Sequence, residues 1–267
     1  MSIGSIYRSI FCKRPNKRVY GWAKDKLDHR DFKLSISQPN TALPKSVDLR
    51  PNCPPVYDQG NLGSCTSNAI AGAIEYDQKK QNAKKFYQPS RLFIYYNERA
   101  IEGTVSQDAG AQIRDGIKSV NAQGVCPETV WPYIETEFAV KPPVAAYVAA
   151  KLDVAVKYQS LVDTNETSLK ACLAGGLPFV FGFNVFPEFE SEAVAASGML
   201  PMPGPRDRSI GGHAVLATGF DDAKQCFLVR NSWGADWGLA GYFWMPYAYM
   251  TNPNLTSDLW VIQSVSY

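Results

Sequence analysis

Asp58-Gln59-Gly60-Asn61-Leu62-Gly63-Ser64-Cys65-Thr66 is the stretch from which the fold of this chain is best predicted. Apolar residues follow it at helical spacing, and one face of a helix running toward Lys80 is marked by Ala69, Ile70, Ala73 and Ile74. Cys65 would therefore lie at the N-terminus of that helix. Free backbone N–H groups and a partial positive charge at such an end stabilise a thiolate. The stretch thus indicates a nucleophilic cysteine rather than a buried structural thiol.

A base for this thiol can be sought among only two histidines. His29 lies in a run of charged residues that is typical of a surface, so His213 is the candidate. An imidazolium at His213 would form an ion pair with the Cys65 thiolate and supply the proton that a leaving amine needs. Asn231 follows His213 and could accept a hydrogen bond from the second ring nitrogen, which would fix the orientation of the ring.

Attack on an amide also needs donors where the oxyanion forms. The backbone N–H of Cys65 is one candidate donor, and the side-chain amide of Gln59 is the second. Gly60 and Gly63 allow the tight turn that would bring Gln59 back to the helix start. Loss of one such donor lowers the rate by about 100- to 1,000-fold in comparable sites. The predicted catalytic set is therefore Cys65, His213, Asn231 and Gln59.

Composition excludes several other classes of protein. The chain has 267 residues, 45% hydrophobic and 12% aromatic, with a net charge of +2, which is typical of a globular protein and argues against a nucleic-acid or acidic-membrane binder. No apolar stretch is long enough to span a bilayer and no secretion signal is recognisable, so a soluble, by default cytoplasmic, monomer is expected. The cysteines form no C-x-x-C pair that would suggest zinc or a redox dithiol, and no metal or other cofactor is expected. Free, mostly buried thiols are a simpler interpretation than disulfides for the six cysteines: Cys12, Cys53, Cys65, Cys126, Cys172 and Cys226.

The polarity and the apolar periodicity of the sequence change at two places, near residues 43 and 146. Residues 1–42 are polar, carry clustered charges and show no sustained period, so they are interpreted as an N-terminal extension and possible short prosegment. Residues 43–145 have helical patterns that begin at Cys65, near Pro89-Ser90 and at Ile113. Residues 146–267 contain, after a short helix, runs with strand composition: Phe179 to Val185, His213 to Phe220, Cys226 to Arg230, Gly241 to Trp244 and Leu259 to Gln263. The predicted fold is α+β, with a helical lobe carrying the nucleophile and a β lobe carrying His213 and Asn231 across a cleft.

Three motifs in order resemble the papain family of cysteine peptidases over roughly residues 43 to 250. They are Gln59-Gly60 with Gly63-Ser64-Cys65, Gly212-His213-Ala214-Val215, and Asn231-Ser232-Trp233-Gly234. The resemblance implies the two-lobed papain fold, with an antiparallel β-barrel-like second lobe, and the same four catalytic residues. It also implies that Trp233 shields the Asn231–His213 hydrogen bond from water. By position, Gly110 and Ala109 correspond to the strip that pairs with substrate backbone, and Gly212 is a further candidate for substrate binding.

Two positions depart from the family pattern. Leu62 stands where the usual signature has a cysteine, and Thr66 stands where it has tryptophan or tyrosine. Neither change removes a catalytic group, and the form of the motif is similar to the short-prosegment microbial branch of the family. The predicted function is hydrolysis of protein or peptide substrates through a thioester. Restraint of this activity by the extension, residues 1–42, is a further hypothesis. The alternatives are an acyl transferase or deconjugating enzyme, and a papain-fold protein that binds peptides without cleaving them.

Overall fold

The computed structural model describes residues 18–36, 42–81, 86–151, 155–162 and 164–265. Its three longest helices, which occupy the first half, begin where the apolar spacing predicts: α1 (Cys65–Lys80), α2 (Arg91–Glu102) and α3 (Ile113–Gln123). The hydroxyl of Ser90 caps α2 by accepting a hydrogen bond from the amide of Phe93 at 3.1 Å. Gly103, at φ 74°, ends that helix.

Shorter helices lie in the second half of the chain. They are α4 (Val144–Ala150), α5 (Glu166–Ala174), α6 (Glu192–Ser197) and α7 (Tyr247–Met250). The side chain of Asn165 caps α5 and the side chain of Ser191 caps α6. Only α5 was predicted from the sequence, because the other three are at most seven residues long and show little apolar periodicity.

The strands form one large sheet and one small one. In chain order they are β1 (Trp22–Ala23), β2 (Lys33–Leu34), β3 (Ser46–Asp48), β4 (Ala111–Gln112), β5 (Ala155–Leu161), β6 (Phe179–Val185), β7 (Gly211–Asp221), β8 (Cys226–Arg230), β9 (Tyr242–Pro246) and β10 (Thr256–Val265). The large sheet has the order β2-β5-β10-β6-β7-β8-β9, with β3 paired to β7. All of its pairs are antiparallel except β2–β5. The predicted α+β class and the antiparallel pairing of the second half are confirmed. Within the described ranges the strands form an open sheet rather than a closed barrel.

The core is built on both faces of this sheet. On β6, Phe179, Phe181 and Phe183 belong to a cluster with the aromatic residues of β8, β9 and the following loops. Val180, between them, faces α1 and α3 instead, as the alternation of a strand requires. On β7, Ala214 and Leu216 face the helices in the same way. The face of β7 at Ala214 is therefore covered by α1, whose first residue is Cys65.

Residues 18–36 lie on the body of the molecule. β1 pairs in parallel with β4, and β2 pairs in parallel with β5. Tyr20, Trp22 and Asp25 then contact residues far along the chain, as described below. We call residues 18–25 the N-terminal segment.

The five cysteines in the described ranges are free and buried, which confirms the expectation for Cys53, Cys65, Cys126, Cys172 and Cys226. Cys12 lies outside the described residues. Among the described residues, no helix has both the length and the apolar character needed to cross a membrane. The same residues contain no cluster of three or more potential metal ligands of the His, Cys, Asp or Glu type.

Candidate active site

The first turn of α1 carries no side-chain cap. Ser64 occupies the N-cap position, but its hydroxyl forms a hydrogen bond with the hydroxyl of Tyr133 at 2.5 Å and accepts one from Asn68 Nδ2 at 3.1 Å. The capping role usually filled by serine is thus absent at this helix end, and the amides of the first turn keep their capacity to bind an anion. Cys65, the first helical residue, is fully buried.

His213 is held by groups on the loop that follows β8. Its Nε2 donates to the side-chain oxygen of Asn231 at 2.8 Å. The indole of Trp233 stacks on the imidazole, with ring centroids 5.2 Å apart and an interplanar angle of 28°. Because Nε2 carries the hydrogen of that bond, Nδ1 is the basic nitrogen of the neutral ring, and it is buried with no hydrogen-bonding partner.

The fold brings Cys65 next to His213. The backbones of Ala214, the residue after His213, and of Gly21 lie close enough to the sulfur of Cys65 to lower the pKa of its thiol. The ring of Tyr20 contacts the imidazole edge to face, with centroids 6.0 Å apart and an interplanar angle of 76°. Cys65 and His213, 148 positions apart in sequence, therefore lie in the same region, where the start of α1 meets β7. We call this region, which the N-terminal segment covers, the cleft.

Gln59 joins the two sides of this cleft. Its amide nitrogen Nε2 donates to the carbonyl of Leu62 at 2.8 Å and to the carbonyl of Val19 at 3.3 Å. Its Oε1 accepts from the hydroxyl of Ser232 at 2.6 Å, and its backbone N–H donates to the carbonyl of Ser232. The donor end of Gln59 is thereby fixed toward the cleft, where a carbonyl of the N-terminal segment occupies it.

The N-terminal segment runs through the cleft over these residues. The carbonyl of Gly21 accepts a hydrogen bond from the amide of Ala111 at 2.7 Å. The hydroxyl of Tyr20 donates to Glu190 Oε1 at 2.5 Å. A Cβ on Gly21 would lie 1.6 Å from the carbonyl oxygen of Gly63, so only glycine allows so close an approach.

The candidate substrate-binding residues are placed differently from one another. Gly110 lies against the segment, since a Cβ there would be 2.0 Å from the Gly21 oxygen. Ala109 is solvent-exposed, and the amide that pairs with the segment belongs to Ala111, which the motifs do not single out. Gly212 lies under the ring of Trp22, where a Cβ would be 2.6 Å from the indole.

Burial sets the charge state of the covered pair. It raises the pKa of the Cys65 thiol to about 12, although backbone hydrogen bonds from Ala214 and Gly21 act in the opposite direction. It lowers the pKa of His213 to about 4, against the hydrogen bond to Asn231. With the segment in the cleft, burial therefore opposes the charged form of each of the two groups.

The two departures from the family pattern are accommodated in the interior. Leu62 packs against Leu92 and Tyr95 in a small apolar cluster. The hydroxyl of Thr66 donates to Glu98 Oε1 at 2.6 Å. Glu98 is fully buried beneath the nucleophile, and this burial raises its pKa well above the ordinary value and so favours the neutral acid.

Two carboxylates meet where the segment leaves the cleft. Asp258 accepts hydrogen bonds from Trp22 Nε1 at 3.1 Å and from the amide of Asp25 at 2.7 Å. Asp25 in turn accepts from Trp260 Nε1 at 2.8 Å and from the amide of Arg114 at 3.1 Å. Burial and then the charge of Asp258 raise the pKa of Asp25 to about 7. Neither Trp22 nor Asp258 was predicted as a site residue. They are hydrogen-bonded to each other although they lie near opposite ends of the chain, and no local sequence pattern indicates such a contact.

Comparison with known proteins assigns the family. The model of the papain family cysteine proteases matches residues 43–259. The chain belongs to this family. It is similar to xylellain, a cysteine protease from Xylella fastidiosa, with a TM-score of 0.85 and 43% identity over 95% of this chain and 98% of that one. It is also 44% identical to a peptidase C1-like protein of Acanthamoeba polyphaga mimivirus, over 93% of this chain and 88% of the relative.

A third relative is more distant. Cathepsin K from Gallus gallus is 30% identical over 78% of this chain, and the matched part spans 60% of that protein. The fold class and the family predicted from the motifs are therefore confirmed: the chain is a papain-like cysteine peptidase of the α+β class.

Proposed function

We propose that the chain hydrolyses peptide bonds with Cys65 as nucleophile, His213 as general base and acid, Asn231 as the group that orients His213, and Gln59 as an oxyanion donor. The observation that carries this proposal is the unpartnered Nδ1 of His213, on a ring fixed through Nε2, next in the chain to Ala214, whose backbone lies close to the Cys65 sulfur. A nitrogen buried without a partner is costly, and a catalytic role is one explanation for it.

In the proposed reaction the thiol proton moves to His213 Nδ1, and the sulfur attacks the carbonyl carbon of the scissile peptide bond. The oxyanion is stabilised by the backbone N–H of Cys65 and by Gln59 Nε2. His213 then gives its proton to the leaving nitrogen, so the C–N bond breaks and a thioester remains. A water molecule, deprotonated by His213, hydrolyses the thioester and restores the thiol.

The N-terminal segment restrains this reaction in the proposed scheme. It covers Cys65 and His213, occupies Gln59 with the Val19 carbonyl, and holds the pair in its neutral form by excluding water. When the segment withdraws, water returns to the cleft, and the thiolate and imidazolium forms become accessible because desolvation no longer opposes them. The substrate is then a protein or peptide that replaces the segment in the cleft.

The decisive experiment compares Cys65→Ala with Cys226→Ala. Cys226 is also buried and free, but it lies at the start of β8, away from the cleft. We expect Cys65→Ala to lose hydrolysis of fluorogenic peptides and labelling by an epoxide or fluoromethylketone thiol reagent, while Cys226→Ala keeps both. Far-UV circular dichroism of the two variants checks that the fold is retained. Peptide turnover by folded Cys65→Ala would exclude Cys65 as the nucleophile.

A further inference from the structure

The two proposed oxyanion donors lie at the two ends of one turn. Gln59 Nε2 is at the first end, and the backbone N–H of Cys65 is at the second. One hydrogen of Gln59 Nε2 goes to the carbonyl of Leu62 at 2.8 Å, and the other, now given to Val19, is available to an oxyanion when the segment leaves. Within the turn the backbone contributes a long hydrogen bond, from the amide of Leu62 to the carbonyl of Gln59 at 3.4 Å. Groups outside the turn therefore contribute to the spacing of the two donors.

Tyr133, on the loop between α3 and α4, joins the two ends of this turn. Its hydroxyl donates to the carbonyl of Gln59 at 2.9 Å and forms a hydrogen bond with the hydroxyl of Ser64 at 2.5 Å. Because the one phenolic hydrogen goes to the carbonyl, which can only accept, the Ser64 hydroxyl is the donor in the second bond. A single oxygen thus connects the residue that carries one oxyanion donor to the residue directly before Cys65.

The side chain of Tyr133 is held in place by a buried polar network. The guanidinium of Arg91 lies over its ring, 4.0 Å from the centroid, and Arg91 Nη1 donates to Asn68 Oδ1 at 3.1 Å. Asn68 Nδ2 in turn donates to the Ser64 hydroxyl at 3.1 Å, and both Arg91 and Asn68 are buried. These bonds form a directed chain that continues through Tyr133 and ends at the carbonyl of Gln59. Each donor in such a chain polarises the next.

The two ends of the turn differ in what else fixes them. The carbonyl of Ser64 accepts an i to i+4 hydrogen bond at the start of α1, at 3.1 Å, so the helix itself positions the N–H of Cys65. Gln59 is tied instead to Ser232 on the loop after β8, through its backbone N–H at 2.9 Å and its Oε1 at 2.6 Å. The hydrogen bond from Tyr133 therefore connects the backbone of Gln59 to the helix that carries the second donor.

We propose that Tyr133 is a positioning residue for the reaction and acts through Gln59, by setting the distance between the two oxyanion donors. This inference rests on the proposed function, in which those donors bind the oxyanion of both tetrahedral intermediates. Donors stabilise an oxyanion at about 2.7–3.1 Å, and a displacement of about 1 Å can lower the rate about 100-fold. Loss of the Tyr133 hydroxyl should therefore lower kcat without changing the reactivity of the thiol.

The test is Tyr133→Phe in the full chain. This variant keeps the ring, which packs against the cluster that contains Leu62 and lies under the guanidinium of Arg91. We expect kcat for a fluorogenic peptide to fall about tenfold. The constant to measure is kcat, because the N-terminal segment competes with the substrate and its docking changes KM. Alkylation of Cys65 by iodoacetamide, followed by mass mapping, should keep its rate within about twofold, since the sulfur displaces iodide from a saturated carbon and no oxyanion forms.

A double-mutant cycle shows whether Tyr133 acts through Gln59. Gln59→Ala alone should lower kcat about 100-fold. Addition of Tyr133→Phe should then lower kcat by less than about twofold more, whereas independent effects would multiply to about 1,000-fold. Tyr147→Phe is the matched control, because it also loses one hydrogen bond, from the Tyr147 hydroxyl to Asn97 at 3.0 Å between α4 and α2. It should keep the wild-type kcat and alkylation rate.

The outcomes separate this inference from the function on which it rests. An unchanged kcat in Tyr133→Phe, an equal fall in kcat and alkylation, or a loss of about 1,000-fold in the double variant would overturn the role of Tyr133 and leave the peptidase intact. Absence of peptide hydrolysis in the wild type would overturn both. Ser64→Ala breaks the same link at its other end and should lower kcat about fivefold, so the inference remains testable if Tyr133→Phe is unstable.

Discussion

Gly21→Ala in the full chain is the most direct test of restraint by the N-terminal segment. The new Cβ would lie 1.6 Å from the carbonyl oxygen of Gly63, whereas real Cβ contacts below 3.0 Å are essentially never seen. The segment must therefore move away from Gly63 by more than an ångström. That movement breaks the hydrogen bond from Ala111 to Gly21 at 2.7 Å and the bond from Gln59 to Val19 at 3.3 Å.

The size of the effect follows from these two bonds. Each contributes about 1 kcal/mol net, so docking of the segment weakens by about 2 kcal/mol. At 25 °C that corresponds to an open fraction about 30-fold larger, as long as the wild-type enzyme is mostly covered. We expect kcat/KM for a fluorogenic peptide, and the rate of labelling of Cys65 by a thiol reagent, to rise by about the same factor.

Gly175→Ala provides the matched control. Gly175 has φ −73°, and the nearest atom to an added Cβ is a carbonyl oxygen at 3.3 Å, at the end of α5 and far from the cleft. This variant should keep the wild-type rates, and the thermal midpoints of both variants should stay close to that of the wild type. If Gly21→Ala leaves kcat/KM and labelling unchanged, the segment does not restrain the site.

Three further predictions concern the machinery around Cys65. Asn231→Ala removes the acceptor 2.8 Å from His213 Nε2 and should lower kcat/KM about tenfold or more, whereas an unchanged value would remove its orienting role. Glu98→Gln should keep the free energy of unfolding in urea within about 1 kcal/mol of the wild type, because burial favours the neutral acid and the amide has a similar shape and keeps the acceptor for Thr66. Glu98→Ala should lose about 2–4 kcal/mol through a cavity and an unpaired Thr66 hydroxyl. The pKa of Asp25 is raised to about 7 in the docked segment, so docking is strongest below the ordinary carboxyl pKa of about 4 and weakens as the pH rises through 7. The kcat/KM of the wild type, divided by that of Asp25→Asn, should therefore increase between pH 5 and 8, because the variant keeps the catalytic groups but has no carboxyl to ionise at this position. A ratio that does not change with pH would contradict this prediction.

Local patterns in the sequence predicted the elements that carry the candidate catalytic residues. α1 begins at Cys65, β7 (Gly211–Asp221) contains the predicted run from His213 to Phe220, and β8 (Cys226–Arg230) ends directly before Asn231, as the spacing of apolar residues and the turn signals indicate. These signals are local, since a helix or a strand buried on one face repeats its apolar residues within a few positions. The order of Cys65, His213 and Asn231 then predicted the family.

The course of the N-terminal segment could not be predicted in the same way. Trp22 donates to a carboxylate 236 positions later, and Trp260 donates to Asp25 from 235 positions later. No periodicity links residues so distant in sequence, and the paired elements β1, β2 and β4 are only two residues long. An isolated strand of that length has no stability of its own and forms only where the body offers a partner. The polar composition of residues 1–42 therefore predicted an extension. The path of residues 18–36 is determined by the strands and side chains of the rest of the protein with which they pair.

The glycines around the N-terminal segment explain why its path could not be predicted from the sequence. They also explain how the segment differs from an ordinary peptide in the same place. Gly182 and Gly212 weaken a strand pattern in the sequence, but in the fold each leaves the room that the Trp22 side chain takes. Gly21 acts from the other side, because it lets the backbone of the segment approach Gly63 more closely than any residue with a Cβ can. A substrate with an ordinary residue at that position must lie farther from Gly63 than the segment does. The backbone of the segment therefore follows a line over Cys65 that a peptide with a side chain at the position of Gly21 cannot adopt, while its Trp22 side chain takes the room left by Gly182 and Gly212.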